Sequence, residues 1–206
     1  FWKYKNTLGF YTSFLVVFFV VDVCAQNSFI ENKGQFPKQV KAKITLPSGA
    51  LFIEEGKLIY SFYSGDQLSK RHNLTRSQKE ISTHTYFVSF LNHNDQISTE
   101  LKTQSKYYEN YFLGEKKNWA TSVSSYKQVL QKNIYNGIDV LYYIKENQLK
   151  YDIVVSPKGN AQNIKLKYEG AEKITLKEGH LNIFTTVNTK SVAVVPSGIL
   201  FFISKP

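Results

Sequence analysis

Glu55-Gly56-Lys57-Leu58-Ile59-Tyr60 recurs as Glu146-Asn147-Gln148-Leu149-Lys150-Tyr151, and again as Glu178-Gly179-His180-Leu181-Asn182-Ile183. Each copy opens on a two-residue turn candidate whose second member, Gly or Asn, tolerates positive φ. The flanking residues alternate between apolar and polar, so the pattern predicts three β-hairpins. Each register can be tested by the neighbours it creates. A turn at Glu178-Gly179 sets Leu176 opposite Leu181 and Ile174 opposite Ile183. Thr175, Lys177, His180 and Asn182 then share the other face, as in a half-buried hairpin. A turn at Glu146-Asn147 sets Val140, Tyr142 and Ile144 opposite Ile153, Tyr151 and Leu149. Leu141, Tyr143 and Val154 make its second face apolar too, so this hairpin is expected to be central and covered on both sides. A turn at Glu55-Gly56 sets Ile53 against Leu58, Leu51 against Tyr60, and Glu54 across from Lys57, a favourable pair of opposite charges. Glu is a poor first turn residue wherever that position also needs positive φ. At 55–56 a three-residue loop with Gly as the bulge residue is the alternative.

Outward from these hairpins, further strands are expected at Thr85 to Leu91, Asn110 to Leu113 and Asn163 to Tyr168. The polar stretches Ser64 to Ser82 and Asn92 to Gln96 read as loops. No stretch keeps a 3.6-residue apolar period over three turns. Ser124 to Lys132 is the one candidate for a short helix. Pro47-Ser48-Gly49-Ala50-Leu51-Phe52-Ile53 partly repeats as Pro196-Ser197-Gly198-Ile199-Leu200-Phe201-Phe202. The fold class is therefore all-β, an antiparallel β-sandwich-like domain built from repeated hairpins. Composition agrees: aromatic residues reach 15%, with 14 Tyr and 15 Phe, and these favour strands.

The first 25 residues read as an export signal. Lys3 and Lys5 form a positive start, Phe14 to Val21 is unbroken apolar sequence, and Val23-Cys24-Ala25 suits cleavage after Ala25. The uncharged run is shorter than the roughly 20 apolar residues of a full span, so no retained membrane span is expected. Asp22-Val23 fits a lipidation site at Cys24 poorly. Cys24 is the sole cysteine, so cleavage leaves no thiol for disulfides, metal sites or nucleophilic catalysis. Residues 26–196 are assigned to a single all-β domain, with two lobes as a variant. Residues 197–206 are expected to be a truncated tail or the start of a further module. Phe at position 1 suggests a sequence that begins inside its gene product.

The formal net charge is +10. Lys3, Lys5 and Asp22 together carry +1, so removing residues 1–25 lowers it to +9. The lysines are scattered singly or in pairs, which reads as a solvated basic surface, and no nucleic-acid partner is expected.

The constellations that carry chemistry are absent from the sequence. His72, His84, His93 and His180 lack metal-ligand spacing. There is no G-x-S-x-G elbow and no G-x-G phosphate loop. Neither a cofactor nor a metal is expected. Asp139 and Asp152 fall on partner strands of one hairpin, and paired carboxylates can do acid–base work on a glycoside. Asp after Asn136-Gly137 more often serves the turn. Trp119 with Tyr107, Tyr108, Tyr111 and Tyr126 could stack on sugar rings, since aromatic faces take apolar ring surfaces, although core packing explains such residues as well.

Phe29-Ile30-Glu31-Asn32-Lys33-Gly34-Gln35, Asn110-Tyr111-Phe112-Leu113-Gly114, Trp119-Ala120-Thr121 and Tyr126 carry a resemblance. So do Ile134-Tyr135-Asn136-Gly137-Ile138-Asp139-Val140, Leu149-Lys150-Tyr151-Asp152-Ile153-Val154-Val155 and Tyr168-Glu169-Gly170-Ala171. Over roughly Phe29 to Phe184 the chain resembles a domain of unknown function near the N-terminus of large secreted Bacteroidota proteins. That family often precedes SBBP-type β-propeller repeats, PKD-like modules, or a type IX secretion and gliding-motility-associated C-terminal domain. The resemblance implies an exported, surface-displayed protein and brings no catalytic residues with it. The family usually continues with a proline and a Tyr-Gln pair, whereas here Pro196 is followed by Ser197-Gly198.

The expected function is therefore a non-catalytic extracellular structural or interaction module of a bacterial envelope protein, serving adhesion. A carbohydrate-binding module built on Trp119, Tyr111 and Tyr126 is the alternative, and a glycoside or ester hydrolase using Asp139 and Asp152 a distant third. Surface glycans or other envelope proteins are the partners that fit.

Overall fold

The structure is a computed structural model. It describes residues 27–70, 80–146 and 148–187, and the backbone of 190–194 and 200–204. The export signal expected over 1–25, with Cys24 and its cleavage site, lies outside the described residues, as do His72 and Pro196. Fourteen strands are described: β1 (Phe29–Glu31), β2 (Val40–Leu46), β3 (Gly49–Glu54), β4 (Lys57–Tyr63), β5 (Thr83–Phe90), β6 (Ser98–Tyr111), β7 (Ala120–Tyr135), β8 (Ile138–Lys145), β9 (Gln148–Val155), β10 (Lys165–Glu169), β11 (Lys173–Lys177), β12 (His180–Phe184), β13 (Lys190–Val194) and β14 (Leu200–Ser204). One short helix, α1 (Gly65–Lys70), opens the segment expected as the longest loop.

Eleven strands form the main sheet, in the order β14-β10-β5-β4-β3-β2-β1-β7-β8-β9, with β6 also on β7. Strands β11, β12 and β13 form a second sheet. Every pairing is antiparallel except β10 with β14. The fold class expected from the sequence is the one observed. Residues 200–204, expected to belong to a tail or a further module, add β14 to the main sheet.

All three hairpin registers are as the alternation dictates. Leu176 pairs with Leu181 and Ile174 with Ile183. Val140, Tyr142 and Ile144 pair with Ile153, Tyr151 and Leu149. Ile53 pairs with Leu58, Leu51 with Tyr60 and Glu54 with Lys57. Glu146 and Glu178 sit at φ 53° and 52°, in the left-handed region, whereas Gly56 takes the positive φ of its own turn. A further Gly turn, at Asn136-Gly137, joins β7 to β8. Gly137 has φ 73°, and a Cβ there would lie 2.7 Å from the Gly159 amide nitrogen, so both the conformation and the close approach demand glycine.

Three expectations need correction. Ser124 to Lys132 is not helical but lies within β7. Val123, Ser125, Val129 and Gln131 are buried on one face of that strand, with only the exposed Lys127 interrupting the row, as a period of two places them. The 138–155 hairpin is not central. β9 is the last strand of the main sheet and leaves Val154 half exposed, because an apolar second face does not by itself supply a covering layer. The 173–184 hairpin is not cleanly two-faced. β12 lies between β11 and β13 and is buried along Leu181, Asn182 and Ile183, while Leu176 on the outer β11 is exposed.

The core consists of rows of side chains running across the strands. Phe29, Ile44, Leu51, Tyr60 and Tyr86 follow one another from β1 to β5. Ala42, Ile53, Leu58, Val88 and Tyr168 form a parallel row from β2 to β10. Ile138, Val140 and Tyr142 of β8, and Leu181 and Ile183 of β12, close on the same cluster. Tyrosine is conspicuous in it: Tyr60 and Tyr86 stack with ring centroids 4.7 Å apart, and Tyr142 lies 6.3 Å from Tyr151. Burial, with the neighbouring phenols, pushes Tyr60, Tyr142 and Tyr168 well above the ordinary tyrosine pKa.

Two stability predictions follow from these phenols. Tyr135 donates its hydroxyl to the Leu91 carbonyl at 2.7 Å, whereas the buried Tyr142 hydroxyl has no partner. Tyr135→Phe is expected to lower unfolding free energy by about 1 kcal/mol, and Tyr142→Phe to leave it unchanged or raise it. Urea titrations of both variants check this. The second concerns pH. The folded state keeps protons on Tyr142 and Tyr168 that the unfolded chain releases near pH 10, so their stabilisation is complete below that pH and is lost above it. Each contributes a slope of about 1.4 kcal/mol per pH unit. The tyrosinate absorbance that Tyr142→Phe and Tyr168→Phe remove from the wild-type titration should therefore appear only together with the loss of the β-sheet circular dichroism signal; its appearance while that signal persists would contradict this.

Candidate functional site

The β6–β7 hairpin carries most of the aromatic residues singled out in the sequence. Its ladder runs from Ser98↔Lys132 to Tyr111↔Ala120, with register shifts between Gln104 and Tyr108 and between Glu109 and Tyr111. Ser122 takes positive φ at the second of these irregularities and Thr103 just before the first. The Asn110 side chain accepts the Ser122 N–H at 2.8 Å, so this motif residue satisfies a donor that the bulge frees from the ladder.

At the Tyr111↔Ala120 end of the hairpin, on the last part of β6 and just past the ladder, five large apolar side chains stand in solvent. Tyr107, Tyr108, Phe112, Leu113 and Trp119 are 57%, 58%, 57%, 69% and 42% exposed. Phe112 and Trp119 meet edge to face at 5.0 Å, and the Trp119 indole N–H points to the Gly114 carbonyl at 3.4 Å. Lys106, Lys116 and Lys117 are exposed beside them. Tyr111 is different in kind. It packs on Ile30, Ala120 and Val123, meets Phe36 edge to face at 5.6 Å, and donates its hydroxyl to Glu109. Burial, then the Glu109 carboxylate, push its phenol above the ordinary range. Tyr126 is half-buried on β7 opposite Phe29, with its hydroxyl 3.5 Å from Glu31. Of the aromatic candidates, Trp119, Tyr107 and Tyr108 are thus exposed, while Tyr111 packs in the fold and Tyr126 is half-buried. Phe112 and Leu113, expected to end a strand, fall past the end of β6 at Tyr111.

Asp139 and Asp152 lie on one face of the β8–β9 hairpin, where Asp139 pairs with Val154 and Asp152 with Leu141. Each is engaged separately. Asp139 accepts the Asn133 N–H at 2.8 Å, where β7 bulges with Asn133 at φ 59°. Asp152 accepts the Tyr143 hydroxyl at 3.2 Å. His84 bonds Thr186 at 3.0 Å and His93 the Asn94 carbonyl at 2.8 Å. Among the described residues no three His, Cys, Asp or Glu gather as a metal site would require, and no helix is long and apolar enough to cross a membrane.

Two depressions flank the 91–97 loop. Asn92, Asn94, Tyr135, Asn136, Asn163 and Lys165 line one of about 220 Å³. Glu54, Glu55, His93 and Asp95 are among the residues lining the other, of about 250 Å³. Both fall below the roughly 300–1,000 Å³ of small-molecule sites.

The other residues carrying the family resemblance are architectural. Asn32 donates to the Pro37 and Val40 carbonyls at 2.9 and 2.8 Å and accepts from Gly34 and Phe36, which fixes the β1–β2 loop. Glu31 accepts the Ser124 N–H at 2.7 Å just where β1 stops pairing with β7.

This geometry defines an all-β module whose motif residues hold bulges and loops and whose accessible aromatic side chains gather at one hairpin end. The chain belongs to the family described as a domain of unknown function, DUF7948, which it matches over residues 29–193. No curated protein and no solved structure matches it.

The bulge role of Asp139 is open to a direct check. Asp139→Ala should lower stability by about 1 kcal/mol, since it leaves the Asn133 amide without its acceptor. The exposed Asp152→Ala should stay within about 0.5 kcal/mol of wild type. Equal, negligible effects in chemical denaturation would remove that role.

Proposed function

We propose that this chain is a non-catalytic interaction module of an exported bacterial envelope protein, displayed outside the cell and serving adhesion, which meets its partner with the aromatic end of the β6–β7 hairpin. The observation that carries the reading is concentration. Of nine exposed large hydrophobic residues among those described, five fall between Tyr107 and Trp119. Scattered apolar residues on a surface are ordinary, whereas aromatic residues grouped beside lysines are typical of binding surfaces. The export-signal pattern of residues 1–25 supports the extracellular setting. The family resemblance supports a Bacteroidota source and companion modules of the propeller, PKD-like or type IX sorting kinds.

Glycan binding is the second reading, favoured by the half-exposed Trp119 ring held by Phe112. Beads coated with the purified chain should attach to bacterial or host cell surfaces, and Trp119→Ala with Phe112→Ala should reduce attachment about tenfold, a loss of roughly 1.4 kcal/mol typical of an aromatic hot spot. A glycan array that loses its signal on Trp119→Ala would turn the reading toward carbohydrate. Attachment unchanged by both substitutions would defeat the assignment of this surface.

A further inference from the structure

β9 ends the main sheet, and among the described residues only its β8 side is paired. Exposed edges are usually blunted by bulges, proline or inward charge. The outer edge of β6 follows that rule, with two register shifts and Thr103 at positive φ. β9 does not. It pairs with β8 over eight residues without a shift, contains no proline, and turns Leu149, Tyr151 and Ile153 to the core. Such an edge is a template for one more strand.

Hairpin geometry decides which backbone groups are free. Lys145↔Gln148 closes a two-residue turn, so it is a hydrogen-bonded pair, and bonded and non-bonded pairs alternate from there. The Ser156 N–H bond to the Gly137 carbonyl, at 2.8 Å, is in phase with this. The amides and carbonyls of Gln148, Lys150, Asp152 and Val154 therefore turn to β8, and those of Leu149, Tyr151, Ile153 and Val155 turn outward.

A two-fold antiparallel pairing of β9 with itself must centre on one residue. Centred on Lys150 it opposes two lysines, and centred on Asp152 two aspartates. Centred on Tyr151 it pairs the outward-bonding residues, Tyr151 with Tyr151 and Leu149 with Ile153. Lys150 of each copy then stands across from Asp152 of the other, twice, at non-hydrogen-bonded positions where side chains approach most closely. Lys150 and Asp152 are both exposed, and the Tyr143 hydroxyl engages only Asp152 Oδ1. A closed two-fold contact requires this kind of self-complementarity.

We propose that β9 is a homodimerisation edge: a second copy of this chain extends the main sheet through Gln148–Val155, with Tyr151 on the two-fold axis and Lys150–Asp152 pairs on either side. The added strand continues the half-buried row Leu149, Tyr151 and Ile153 across the axis. This surface is separate from the aromatic hairpin end and stands independently of its function.

Sedimentation of the full chain over a concentration series tests the proposal, with circular dichroism confirming that each variant is folded. The wild type should dimerise. Asp152→Lys and, separately, Lys150→Asp should each weaken the dimer about tenfold or more, because attraction becomes repulsion at two symmetric positions. The double exchange Lys150→Asp with Asp152→Lys should restore it. A wild type that stays monomeric overturns the proposal. So does a dimer indifferent to the single exchanges, or one that the double exchange fails to recover.

Discussion

Everything in this fold is suspended from one strand, because β7 offers a single hydrogen-bonding edge to two different partners. Its other edge is occupied by β6 from Ser98↔Lys132 to Tyr111↔Ala120. The shared edge takes β1 at Ser125 and Tyr126, and β8 from Gln128 onward. Two arms of the main sheet thus leave the same side of the same strand. Each backbone amide must find an acceptor, so β1 has to stop where β8 begins. Glu31 covers the junction by accepting the Ser124 N–H through its side chain. From that division, β1 to β5 with β10 form one wall and β8 with β9 another, and their apolar faces share one core.

The bulges belong to the same constraint. A strand of sixteen residues with partners on both edges accommodates its twist by local irregularity, and Ser122 and Asn133 supply it in the left-handed region without glycine. Each leaves a donor outside the ladder, and Asn110 and Asp139 receive them. Asp139, one of the two carboxylates weighed for acid–base work in the sequence, is thereby tied to the strand it supports. The tyrosines extend the theme. Tyr60, Tyr86, Tyr142 and Tyr168 fill space between the two walls as large apolar bodies, and burial holds Tyr60, Tyr142 and Tyr168 neutral.

How much was legible follows from periodicity. In the hairpins at 51–60, 140–153 and 174–183 the alternation runs unbroken up to a two-residue turn, so pairing could be read residue by residue. β6 and β7 resisted the same treatment. Shifts at Gln104, Glu109 and Gln131 each break the phase between partner strands, and at Ser124 to Lys132 two of the buried positions, Ser125 and Gln131, are polar, so no apolar alternation shows. The candidate aromatic residues divided for a related reason. Tyr111 and Trp119 are equally aromatic in sequence, but Tyr111 lies within the ladder against Phe36 while Trp119 falls just outside it.

Sequence by itself determined the strand class, the hairpin registers and the absence of thiol chemistry beyond Cys24, because each depends on residues close together in the chain or on composition alone. Only the tertiary structure decided that β7 divides the sheet, that β9 is an edge, and that Asp139 serves a bulge. Those outcomes depend on which distant strands compete for one row of backbone donors and acceptors, and every residue carries the same donors and acceptors whatever its side chain.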